Sequence, residues 1–160
     1  AFYQATISFT SQNFGAKKKD RINKILFAGQ VYVVATGLIL GSLAVFFGKE
    51  LLGIYSTSPE VIAAGMVRLQ YICKVYFLCG IMDVFVGALR GIGYSIMPMF
   101  VSLLGACGLR LLWLATVFQI PQYHTQDIIY LSYPITWVIT FTVHALCYIW
   151  ARKQVDKKLV

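Results

Sequence analysis

KKKDRINKILFAGQVYVVATGLILGSLAVFF, residues 17–47, sets five cations ahead of twenty-three residues that carry no charge. A helix rises 1.5 Å per residue, so about 20 apolar residues cover the ~30 Å of bilayer hydrocarbon. Residues 25–47 meet that length, and so do 69–89, 96–118 and 128–150. The positive charges fall in alternate gaps. Lys17, Lys18, Lys19, Arg21 and Lys24 precede the first stretch, whereas the next gap holds only Lys49, with Arg68 at the membrane edge. Arg90 lies in a tight turn, residues 121–127 have no Lys or Arg, and Arg152, Lys153, Lys157 and Lys158 follow the last stretch. The positive-inside rule asks for this alternation in a chain that crosses four times. The sequence therefore predicts an all-α, polytopic transmembrane helix bundle with its first loop and its C-terminus in the cytoplasm.

Composition points the same way. The 160 residues are 59% hydrophobic and 12% charged, with a mean hydropathy of +0.72, against about 25% charged in a soluble domain. The net charge of +8 comes largely from residues that flank spans. Such charges set topology and touch anionic lipid, so no nucleic-acid partner is expected. Cys73, Cys79, Cys107 and Cys147 all lie within apolar stretches and form no CxxC pair or ligand cluster with His124 or His144. They read as small buried hydrophobes, and neither disulfide nor metal site is expected. GxSxG, HExxH and phosphate-loop signatures are missing, which argues against an enzyme. The first residues show no charged leader of a signal peptide.

Along the chain, residues 1–14 resemble the end of a transmembrane helix, with Gly15 suited to a left-handed C-cap. Gly37 and Gly41 form a GxxxG step, a sign of close packing between membrane helices. Residues 48–57 read as an outer connection, with Lys49, Glu50 and Tyr55 suited to the interface. Ser58-Pro59-Glu60 marks a helix start, and the pattern from there predicts one unbroken helix to Leu89. Pro98 falls in the first turn of the next span, Thr125 suits the N-cap of the last, and Pro134 predicts a bend in it. From Arg152 onward the polar tail reads as a fraying end.

Ionisable groups inside a bilayer each cost about 2.5–3.5 kcal/mol at a helix centre, so each needs a reason. Asp83 is the acid within the spans and shares a helical face with Ile72, Tyr76, Cys79, Gly87 and Arg90. Two readings stand: a carboxylate that binds a proton or cation in a cavity, or a structural acid bonded to a neighbouring helix. Lys74 lies on the opposite face near the outer end, where it can snorkel. Arg110 sits mid-span behind Ser102 and Ala106, small residues that point its face into protein; it orders the bundle or lines a cavity. The last stretch carries Ser132, Thr136, Thr140, His144 and Tyr148 at four-residue steps. That stripe reads either as the wall of an aqueous cavity or as interhelical glue.

These residues also carry a family resemblance. Ser11-Gln12-Asn13-Phe14-Gly15-Ala16 before a basic run resembles the Q-N-x-G-A turn of the multidrug and toxic compound extrusion (MATE) family. Gly87-Ala88-Leu89-Arg90-Gly91-Ile92-Gly93 resembles its G-x-L-R-G-x-G turn, and Arg110 with Leu111-Leu112-Trp113 is similar to the arginine-led run in the following helix. The resemblance implies half of a twelve-helix, two-lobed transporter. Residues 1–16 would end helix 8, and 22–47, 59–89, 95–118 and 126–152 would be helices 9 to 12, with 153–160 a cytoplasmic tail. It implies a multi-pass protein of the cell membrane that exports amphipathic, often cationic drugs in exchange for Na⁺ or H⁺, without a cofactor. Its partners would be the lipid bilayer, the small-molecule substrate and the N-terminal lobe. Asp83 would couple the ion, although in family members the helix-10 acid lies about one turn farther from the L-R-G turn. Tyr76, Arg110, Thr136, Thr140 and His144 would line the cavity. The alternatives are a lipid-linked oligosaccharide flippase of the same superfamily and a membrane scaffold subunit that transports nothing. An acid in the first helix of a twelve-helix chain would favour the drug exporter.

Overall fold

The computed structural model describes residues 1–158 and builds them almost entirely from helix, with no strand among those residues. α1 (Phe2–Gly15) turns into α2 (Lys19–Phe46), followed by the short α3 (Gly48–Tyr55) and α4 (Pro59–Ile72). A 3₁₀ turn at Cys73–Val75 leads into α5 (Phe77–Gly91). α6 (Ile96–Ser102), a π-helical segment at Leu103–Gly108 and α7 (Leu109–Ala115) run on as one rod, and α8 (Gln126–Lys158) closes the chain. Lys19–Phe46, Ile96–Gln119 and Gln126–Lys157 are each long and apolar enough to cross a membrane. Pro59–Val75 and Phe77–Gly91 together make a fourth such span, bent by 43°. The protein is an all-α, polytopic membrane bundle.

α5 is the hub, packed against α1, α2 and α8. Small residues permit this where lipid supplies no hydrophobic drive. A Cβ on Gly87 would stand 2.9 Å from the Tyr3 carbonyl, and one on Gly91 would stand 2.5 Å from Thr10 Cβ. Thr6 and Thr10 fill those notches and are buried. Ile22, Ala88, Leu89, Ile92, Tyr148, Ala151 and Val155 form one core at the end of the bundle that carries Lys17–Lys19, the basic end.

Several local expectations are corrected. The helix from Pro59 does not run unbroken to Leu89: it breaks at Cys73–Val75. The cause is tertiary. Gly41 of α2 presses on the Cys73 carbonyl, and a Cβ on Gly37 would lie 2.9 Å from Phe77 Cα. The GxxxG face of α2 is thus seated on the break itself. Residues 48–57 are mostly helix, because Leu52 of α3 packs over Gly65 of α4 and Met66 packs over Gly48. Gly15 is the last residue of α1, and the left-handed position falls to Lys17 at φ 56°. Lys18 N–H donates to the Asn13 carbonyl (2.9 Å) and Lys17 N–H to that of Phe14 (3.0 Å), a Schellman cap. α5 ends the same way, with Gly93 at φ 95° in the left-handed position.

The tail is corrected as well. α8 continues to Lys158, and Arg152 is buried, not frayed into solvent. Its Nε donates to Asn23 Oδ1 (3.3 Å), its Nη2 to the Lys19 carbonyl (3.3 Å), and it pairs with Asp156 at 3.0 Å. Tyr148 Oη donates to the same Asn23 oxygen (2.8 Å), and Lys19 Nζ to the Asp156 carbonyl (3.2 Å). Leu159 and Val160, the end of the expected tail, lie outside the described residues.

Candidate functional site

Asp83 stands on α5 with its side chain exposed and with no hydrogen-bond or ion-pair partner among the described residues. Arg90, two turns on, does not approach it. The Arg90 guanidinium instead bonds Tyr3 Oη and lies over the Tyr3 ring, 5.6 Å from its centroid. Tyr76 caps the N-terminus of α5 and is 55% exposed, so Tyr76, Cys79 and Asp83 follow one another on one face at helical spacing. Lys74 is exposed within the 3₁₀ turn.

Arg110 faces inward. Its guanidinium carbon sits 3.8 Å from the centroid of the Tyr133 ring, and Nη2 donates to Thr136 Oγ1 at 3.4 Å. Nε is buried without a partner. The π-helical segment at Leu103–Gly108 ends two residues earlier. An i→i+5 turn shifts the phase of the downstream helix by about 100°, so this segment decides which way Arg110 points.

The polar stripe of α8 is closed off. Ser132, Thr136, Thr140 and His144 are 0–2% exposed. Thr140 fills the notch left by Gly105, and Ser102 Oγ meets His144 Nε2 at 3.0 Å. Thr136 and Thr140 also return bonds to carbonyls of their own helix. These side chains occupy the seam between α8 and the α6–α7 rod. Thr140 also borders a cavity of about 250 Å³ with Gly105, Leu109 and Val143, and His144 Nδ1 is buried with no partner.

A second open space lies apart from this seam. A cavity of about 320 Å³ lies beside the helix break, walled by Val33, Thr36, Gly37, Gly41, Tyr76 and Phe77. That volume falls within the roughly 300–1,000 Å³ of small-molecule pockets. Tyr76 belongs both to this cavity and to an aromatic row. Its ring meets Trp137 edge-on at 5.8 Å, Trp137 meets Tyr133 at 5.8 Å, and Tyr133 carries Arg110. Tyr71 and Tyr130 make a further aromatic pair between α4 and α8 at 6.1 Å. Sequence reasoning missed Tyr133 and Trp137, although Tyr130, Tyr133 and Trp137 stand at one-turn spacing on α8. It also missed Gln30, whose Nε2 donates to the Ile81 carbonyl (3.2 Å) while its Oε1 is buried and unpaired. A lone amide within an apolar span was the signal available.

A family model, MatE, matches residues 1–116. The chain belongs to the MatE family. The three motif regions, Ser11–Ala16, Gly87–Gly93 and Arg110–Trp113, all fall inside the matched residues. Searches among curated proteins and among solved structures return no match. MatE proteins are membrane transporters, not enzymes, so a lipid bilayer and a small-molecule substrate are partners of this chain.

Proposed function

We propose that the chain is lobe material of a secondary active antiporter that exports amphipathic, cationic drugs in exchange for Na⁺ or H⁺ by alternating access. On this reading residues 1–16 end helix 8, four further spans are helices 9 to 12, and a second lobe faces them across the path. The first loop and the C-terminus lie in the cytoplasm, and the protein resides in the cell membrane without a cofactor. The observation that carries the proposal is the unpaired Asp83 carboxylate on the same face of α5 as Tyr76, the residue that also walls the apolar cavity. An aromatic face attracts a cation, an apolar pocket takes the rest of an amphipathic molecule, and a free carboxylate takes up the coupling ion. The flippase reading gains less support, because Tyr133 and Thr136 already engage the Arg110 guanidinium. The seam residues Thr136, Thr140 and His144 hold Arg110 and the α6–α7 rod in place behind the aromatic row.

The test is Asp83→Asn in the full-length transporter, which keeps the shape and removes the ionisable group. The variant is expected to fold and to bind drug, while efflux loses most of its dependence on the ion gradient. Unchanged gradient-driven efflux would reduce Asp83 to a structural role. Orientation is checked with single cysteines: Gln122→Cys labels from outside with an impermeant reagent, and Lys18→Cys only after permeabilisation. The opposite pattern would invert the proposed topology.

A further inference from the structure

α1 and α2 run antiparallel, and the groove between them changes character along its length. At the basic end it opens as a mouth of about 470 Å³ walled by Lys17–Lys19, Asp20, Arg21 and Lys24, five cations against one acid. Arg21 and Lys24 also wall the next section, about 400 Å³, together with Asn13, Phe9, Ile25 and Ala28. Phe9, Ile25 and Ala28 then pass into a third section of about 210 Å³ with Phe2, Ala5 and Tyr32. Neighbouring sections share wall residues, so the three adjoin in order along the groove, cationic at one end and apolar at the other.

The helical register explains the gradient. Arg21, Lys24, Ile25, Ala28 and Tyr32 repeat at three- and four-residue steps and so line one face of α2. Phe2, Ala5, Phe9 and Asn13 do the same on α1. From Arg21 to Tyr32 the groove runs along about 16 Å of helix, the depth of half a bilayer core. Small residues, Ala5 and Ala28, keep its floor open. Phe9 and Tyr32 are 56% and 64% exposed along its rim.

We infer that this groove is a binding site for one anionic glycerophospholipid. Its phosphate sits between Arg21 and Lys24 within the Lys17–Lys19 mouth, and an acyl chain lies along Ile25, Ala28 and Tyr32. The charge of the mouth selects an anionic headgroup, and the apolar continuation sets a lipid apart from free phosphate. Neither Arg21 nor Lys24 is held by a hydrogen bond or ion pair among the described residues, so both are available to the ligand. Lys19 is turned away to the Asp156 carbonyl.

Native mass spectrometry of the full chain, released from micelles doped with equal phosphatidylglycerol and phosphatidylcholine, tests the inference. The wild-type chain is expected to retain one phosphatidylglycerol in preference to phosphatidylcholine. Arg21→Gln with Lys24→Gln lowers that adduct about fivefold per cation removed. Lys153→Gln with Lys157→Gln, which removes the same charge from exposed positions that do not line the groove, leaves it unchanged. Ala28→Trp fills the apolar section with every cation intact and also removes the adduct. An equal loss in both charge variants would show attraction by overall charge and overturn the site. An adduct that survives Ala28→Trp, or that excess inorganic phosphate displaces, would reduce it to a headgroup contact without the groove. Dimers that carry no lipid and vanish with Ala28→Trp would give the groove to a second copy of the chain.

Discussion

At the basic end of the bundle Ile22, Ala88, Leu89 and Ala151 are wholly enclosed, whereas at the other end α4 contributes no buried residue and Ile54 and Tyr55 of α3 stand 85% and 94% exposed. Four helices converge at the basic end, and Asn23, Tyr148, Arg152 and Asp156 knit α2 to α8 there. At the far end α4 meets its neighbours past a helix break. Enclosed contacts carry most of the resistance to local opening. The basic end is therefore the fixed one, and the α3–α4 end can shift against it about the 43° bend. Asp83 and Tyr76 lie on the helix that joins the two, so motion at the break reaches the proposed ion site directly.

The largest expected effect tests that asymmetry. Leu89→Ala empties a fully enclosed position and should cost about 2–5 kcal/mol, whereas Ile54→Ala, at an exposed one, should change stability by about 0.5 kcal/mol or less. Thermal unfolding of the chain in detergent measures both. Similar losses at the two positions would abolish the distinction between the ends.

The break comes next. Gly41→Val would place a Cβ against the Cys73 carbonyl, a backbone atom that cannot rotate away. Overpacking of this kind costs about 1–3 kcal/mol. The same change at Gly53, with nothing within 4 Å of a Cβ, should be nearly neutral. A Gly41→Val chain as stable as wild type would mean that α2 does not hold the bend in place.

Third is the polar knot. Asn23→Ala removes the acceptor shared by Tyr148 and Arg152, at about 1 kcal/mol for each bond lost. Tyr148→Phe added to it should cost little more, because the two changes delete one interaction. Full additivity in that cycle would show that the bond contributes nothing to the fixed end.

Much of this architecture is legible in the sequence, because span length and loop charge are properties of the chain alone. GxxxG at Gly37 and Gly41 announces a packed face in the same way. What lies on that face is another matter. No Pro or Gly occurs from Ile72 to Tyr76, so nothing local marks the break; the backbone of α2 imposes it. Arg152 reads as solvated because charge near a terminus usually is, and the approach of Asn23 and the Lys19 carbonyl encloses it. The candidate site divides along the same line. Arg110 and Thr136 stand out singly as polar residues in apolar spans, but their pairing across Tyr133 depends on how the α6–α7 rod is phased by its π segment. Asp83 stands out by its rarity alone, and its lack of a partner is a fact of packing.

The smallest effect concerns the two helix caps at the basic end, which share one hydrogen-bond pattern but not one residue type. Gly93 occupies the left-handed position after α5, and Lys17 occupies it after α1. A side chain in that conformation costs about 1–2 kcal/mol, and glycine gives back about 0.5–1 kcal/mol through the greater freedom of the unfolded chain. Lys17→Gly should therefore stabilise the chain by a few tenths to about 1 kcal/mol, whereas Gly93→Ala should destabilise it by a similar amount. Neither glycine-to-alanine sterics nor lost contacts interfere, since nothing lies within 4 Å of a Cβ at Gly93. Lys17 also belongs to the cationic mouth of the lipid groove. A gain in stability together with a weaker phosphatidylglycerol adduct would show that the strained lysine is kept for its charge. If Lys17→Gly gains stability and retains the lipid in full, Arg21 and Lys24 suffice to hold the headgroup.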